Sequence, residues 1–157
     1  MGPDEALSSL LLLGQVALDA ADYESAVNAY ASALKIKQDE TAAYNLGSLY
    51  ARGLGVRKNY LEAARLFHES ELMGNDRAGK LCMKCMFDFI DEQIEGKDPL
   101  ELYSAMAVFV SMAFPEAPDK PAELANGLSA LASTYASKGE QAKAEKLILA
   151  QEHLPGK

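Results

Sequence analysis

Small residues recur in this chain at the spacing that stacked helix pairs require. Gly14, Gly47 and Cys82 follow one another at intervals close to the roughly 34-residue period of helix-turn-helix repeats that build arrays. Each opens the same pattern. Leu13-Gly14 and Ala17 precede Ala26, Tyr30 and Ala33; Leu46-Gly47 and Tyr50 precede Ala63, Phe67 and Ser70; Leu81-Cys82 and Cys85 precede Ala105, Phe109 and Met112. A fourth unit has Leu131-Ala132 and Tyr135, then Ala144, Ile148 and Gln151; the step from Cys82 to Ala132 is well beyond one period, so the third unit carries an insertion. Paired helices approach closely only where side chains are small, which accounts for the glycine, cysteine or alanine in the first helix and the alanine in the second. The larger residue one turn after that alanine shares its face and is expected to fill the space toward the next unit.

The pattern predicts an all-α fold of about eight helices in four repeats, near 5–38, 39–74, 75–114 and 122–154, within one domain covering 1–157. Helix 1 is expected from Glu5 to Asp19 and helix 2 from the capping Asp22 to Ile36. Helices 3 and 4 follow near Glu40–Arg52 and Tyr60–Met73. Gly74-Asn75-Asp76 supplies a left-handed helix end and the next cap. Helix 5 is expected over Arg77–Ile94, and helix 6 starts at Asp98-Pro99, a capping residue followed by proline in the first turn. Pro115, Pro118 and Pro121 interrupt the chain before helix 7, Ala122–Ser137, and helix 8 ends near His153. Helix 6 is apolar almost all round but too short for a bilayer. Burial between neighbouring helices is expected, with an exposed docking strip at Met106 and Val110 as the alternative.

The first unit resembles a tetratricopeptide repeat through Leu10, Leu13-Gly14, Ala17, Ala26, Tyr30 and Ala33. The second resembles the longer Sel1-like repeat, with Leu46-Gly47-Ser48-Leu49-Tyr50, Gly53-Leu54-Gly55-Val56 and Ala63-Ala64-Arg65-Leu66-Phe67. The step from Gly47 to Ala63 is longer than the step from Gly14 to Ala26, and the extra residues fall at the glycine turn. Units 3 and 4 lack that turn. The resemblance implies a right-handed α-solenoid acting as an adaptor or scaffold. It also implies a concave wall that binds a peptide or helical segment, lined by Leu11 and Gln15, by Tyr44, Ser48 and Arg52, by Met83, Met86 and Phe87, and by Asn126. The alternative for Met83, Met86 and Phe87 is packing against the inserted 96–121 region. Recognition of a C-terminal carboxylate, known in tetratricopeptide proteins, fits poorly: Asn45 and Lys80 match, but Leu12 and Gln15 stand where the first-repeat groups belong.

The formal net charge of −8 disfavours nucleic acid and anionic membranes as partners, because both demand a basic surface. No cationic segment precedes Leu10–Leu13, so the N-terminal region does not resemble a signal peptide, and a cytoplasmic protein is expected. Arg52, Arg57 and Lys58 cluster at the glycine turn, either as a contact for an acidic partner or as a solvated turn with Gly53 and Gly55 at positive φ. No Gly-Lys-Ser/Thr follows, so the turn is no phosphate loop.

Cys82-Met-Lys-Cys85 is the one hint of chemistry. A structural zinc site needs a second ligand pair, and neither His68 nor His153 has ligand spacing. A redox pair needs an exposed helix N-terminus to lower the thiol pKa, whereas these cysteines fall in mid-helix, where burial is expected. Neither catalytic residues nor a cofactor or metal site can be defended. Three functions are therefore in view: a partner-binding module, a self-associating (homodimeric) unit through Leu10–Leu13, and a thiol redox protein through Cys82 and Cys85.

Overall fold

The computed structural model describes residues 2–116 and 120–153, which leaves Pro118 of the expected proline break outside the described residues. Among the described residues all regular structure is helical. The α-helices are α1 (Pro3–Asp19), α2 (Tyr23–Ile36), α3 (Glu40–Arg52), α4 (Tyr60–Leu72), α5 (Asp76–Asp91), α6 (Pro99–Ala113), α7 (Lys120–Ser137) and α8 (Gln141–Ala150), with 3-10 turns at Ile94–Gly96 and Gln151–His153. None of these helices is long and apolar enough to cross a membrane.

Local chemistry sets the helix starts. The backbone N–H groups of Ser25, Ala42, Glu62 and Glu101 donate to the side chains of Asp22, Asp39, Asn59 and Asp98 at 2.8 to 3.3 Å, satisfying donors that a helix leaves unpaired at its first turn. Pro3 and Pro99 occupy first-turn positions, where the missing N–H costs nothing. The observed α5 is shorter than expected. It stops at Asp91, and a 3-10 turn takes up Ile94 before the chain extends at Lys97 toward the Asp98 cap.

The chain divides into two compact units, Met1–Cys85 and Met86–Lys157, so that α5 contributes to both. In the first, α1 packs on α2, α3 on α4, and α2 on α3. Its core joins Ala17 of α1 and Ala26, Tyr30 and Ala33 of α2 to Ala42, Leu46 and Leu49 of α3 and Leu66 of α4. The small-residue positions act as the spacing implies. A Cβ on Gly14 would lie 2.6 Å from the Tyr30 ring, and one on Gly47 would lie 3.1 Å from the Phe67 ring. The glycine turn folds back on the same unit. Gly53 and Gly55 take φ of +65° and +72°, and the Gly55 Cα lies so near the backbone of Tyr23 that a Cβ would reach within 2.4 Å of its carbonyl. Buried Ser70 donates its hydroxyl to the Glu40 carbonyl at 3.1 Å, tying α4 to the start of α3.

In the second unit α7 packs on α8, and α6 packs on both. Its buried residues include Leu102, Met106, Phe109 and Val110 of α6, Leu124, Leu128, Leu131 and Tyr135 of α7, and Ala144 and Leu147 of α8. Phe109 packs against Phe89 with ring centroids 5.0 Å apart. Met106 and Val110 are buried, so they form no docking strip; the exposed apolar residues of α6 are Leu100, Val108 and Met112. A helix that is apolar on every face carries no periodicity to say which side turns inward, and here the neighbouring helices decide it. Ile148 also departs from expectation. Its counterparts Tyr30, Phe67 and Phe109 are buried, whereas Ile148 is half-exposed and Leu147 beside it is enclosed.

Tyr135 shows how a polar tip is accommodated in this core. Its ring lies 5.0 Å from that of Phe87, and its hydroxyl donates to Asp91 Oδ1 at 2.7 Å. Burial, then the Asp91 carboxylate, holds the phenol in its protonated form well above the usual tyrosine range. Because the folded-state pKa is raised, this contribution is complete below the ordinary value of about 10 and is lost as pH rises beyond it. Tyr135→Phe is expected to lower stability by about 1 kcal/mol, a discounted value for a bond whose acceptor is partly solvated. Urea unfolding of the two proteins at pH 7 and pH 10.5 checks this: the difference should shrink at the higher pH.

Candidate functional site

Tyr44, Ser48 and Arg52 follow one another at single-turn steps on α3 and therefore share one face. Tyr44 and Ser48 are half-buried, and Arg52 is exposed. The Tyr44 ring meets Phe67 edge to face, with centroids 5.8 Å apart at 66°. On it lies the guanidinium of Arg77, 5.9 Å from the ring centroid, within the range of a cation–π contact. Tyr44 is thereby fixed in orientation without being enclosed. Arg77 is not legible from sequence, since a first-turn arginine of α5 carries no signal of what it touches across the fold.

On α1, Leu11 packs partly against the core, while Gln15 is exposed and donates to Asp19 Oδ1 at 2.9 Å. They hold the same repeat positions as Tyr44 and Ser48, one repeat earlier in the chain. Met83 is exposed on α5. At about 100° per residue it lies about 120° around that helix from Arg77.

Met86 and Phe87 belong to the second unit's packing. Met86 is buried, and its methyl group lies 3.1 Å from where a Gly127 Cβ would stand, with Met106 at 3.0 Å on the same gap. It is thus enclosed rather than offered as part of a surface, and its partner is α7 as well as the inserted region. Phe87 stacks on Tyr135, with the Lys138 ammonium 4.5 Å above its centroid. Asn126 is exposed on α7.

Cys82 and Cys85 are both buried and are not joined in a disulfide. Burial first, then the neighbouring Cys85 and Glu71, pushes the Cys82 thiol up to about 12. At neutral pH it is therefore almost wholly protonated, and the thiolate is the reactive form. Alkylation of Cys82 by iodoacetamide at pH 8 is expected to be at least about 100-fold slower in the folded protein than in guanidinium, where its thiol regains an ordinary pKa. Comparable rates in the two conditions would return thiol chemistry to consideration. Among the described residues no group of three or more His, Cys, Asp or Glu side chains could hold a metal ion.

Comparison of the chain with protein-family models, with curated proteins and with solved structures yields no match.

Proposed function

We propose that this chain is a non-catalytic protein-interaction module of the tetratricopeptide and Sel1-like kind, acting as an adaptor or scaffold. Its working surface is the exposed face of α3, with Tyr44 as the anchor. The observation that supports this reading is Tyr44 itself. A tyrosine oriented by Phe67 below and Arg77 above, yet left partly exposed, offers contact area at little further cost in side-chain freedom. Arg52, two turns along the same face, adds a positive charge in an acidic protein. The ligand that suits this arrangement is a polypeptide segment with an apolar residue for Tyr44 and a carboxylate for Arg52.

Capture of binding partners by the intact protein and by variants tests the reading. Tyr44→Ala and Arg52→Ala are expected to lose at least about tenfold of the captured partner, the loss of about 1.4 kcal/mol typical of an anchor residue. Met83→Ala, on α5 rather than on the α3 face, is expected to retain it. Equal capture by all four proteins, each with unchanged helicity, would count against the proposal.

A second reading is self-association through α1, favoured by Leu12, Leu13 and Val16, which are 66%, 52% and 55% exposed on one helix. Scattered apolar residues on a surface are ordinary, but three so close together form a ridge.

A further inference from the structure

The repeat positions of the two ends explain what would cover that ridge. One repeat further along the chain, Ser9, Leu13 and Val16 correspond to Ala42, Leu46 and Leu49. The latter three are at most 5% exposed because they pack with Ala26, Tyr30 and Ala33 of the preceding helix pair in one core cluster. Leu13 and Val16 thus hold the same junction positions, yet they are exposed, and no described helix covers them.

The opposite half of that junction is open at α7 and α8. Ala144, Ile148 and Gln151 correspond to Ala26, Tyr30 and Ala33 by their place after the small residue. In the first pair these positions are fully enclosed, with Tyr30 filling the space over Gly14 and α3 closing it. In the last pair Ile148 is 50% exposed. An open cleft remains, lined by Ala132, Ala136, Ala144 and Ile148 together with serine and glutamine side chains of α7, α8 and the turn that follows. Gln151 donates to Ser129 Oγ at 2.6 Å, so the two walls are held together.

The two surfaces share one property, the absence of charge. One is a ridge of branched aliphatic side chains; the other is a cleft in which small alanines and Ile148 alternate with uncharged serine and glutamine side chains. On a chain of net charge −8, two copies repel over most approaches. Yet α1 carries no charge between Glu5 and Asp19, and none of the residues lining the cleft is charged.

We infer that the chain associates head to tail with itself: the Leu13 and Val16 ridge of one copy enters the α7–α8 cleft of a second copy, reproducing the junction that α3 makes on α1 and α2. This rests on the self-association reading and narrows it, since a contact between unlike surfaces leaves each partner with one free end.

Light scattering after size exclusion tests it with a ridge variant, Leu13→Glu/Val16→Glu, and a cleft variant, Ile148→Glu, all at exposed positions, with circular dichroism to verify folding. The wild type is expected to exceed the monomer mass as concentration rises, and each variant alone to remain monomeric. An equimolar mixture of the two variants should give a species of twice the monomer mass, because one retains its cleft and the other its ridge. A wild type that stays monomeric throughout would defeat the self-association reading and this inference together. A dimer that persists in the cleft variant but not in the ridge variant would keep self-association through α1 and overturn the head-to-tail arrangement. A mixture that remains monomeric would overturn it as well.

Discussion

Replacing Phe67 with alanine is expected to cost about 4 kcal/mol, whereas the same truncation at the equivalent Ile148 should cost about 1 kcal/mol or less; the first figure is typical of a buried phenylalanine, combining lost burial with a cavity that the surroundings close only in part. Phe67 is enclosed beneath Gly47 and also braces Tyr44 edge-on, so the backbone of α3 and one ring both lose a neighbour. Ile148 occupies the corresponding place in the last helix pair but is half-exposed. Denaturant unfolding of both variants at low protein concentration, where monomers dominate, measures the contrast. Equal losses would mean that Ile148 is as enclosed within the monomer as Phe67 is.

Gly55→Ala is expected to cost about 3 kcal/mol, and Gly139→Ala only about 1 kcal/mol, because strain in the left-handed region is common to both and a backbone clash is added at one. Both glycines have positive φ, +72° and +79°. Space separates them. A Cβ at Gly139 meets nothing within 4 Å, whereas one at Gly55 would fall 2.4 Å from the carbonyl carbon and oxygen of Tyr23 and 2.6 Å from the Glu24 nitrogen. Backbone at the start of a helix cannot rotate aside as a side chain can, so the turn or α2 must move. Thermal melts of the two variants give the comparison, and a Gly55→Ala protein as stable as Gly139→Ala would show that the turn does not rest on α2.

These contrasts show which parts of the fold the sequence makes legible. Gly14, Gly47, Tyr30 and Phe67 can be placed because a close helix crossing demands a small residue opposite a large one, a constraint confined to one helix pair. Asp22, Asp98 and Gly53 can be placed because caps and left-handed ends depend on neighbours only a few residues away. Ile148 cannot, since its burial depends on whether another helix follows, and among the described residues none packs over it. Met86 is hidden for a similar reason: the gap it fills is made by Gly127, on a helix far along the chain. Part of the candidate surface is readable too. The repeat register puts Tyr44, Ser48 and Arg52 on one face, but the cation over the Tyr44 ring comes from α5, and no local pattern announces it.

The most direct test of the proposed role as an interaction module is a photoreactive amino acid placed at Ser48, between Tyr44 and Arg52, compared with one at the exposed Asn28 of α2. Irradiation in extract from the native source, followed by mass spectrometry of the adducts, reads the result. The proposal predicts a discrete polypeptide adduct at Ser48 that is absent at Asn28 and is lost when Tyr44→Ala is added. No adduct at Ser48, or the same adducts at both positions, would contradict it.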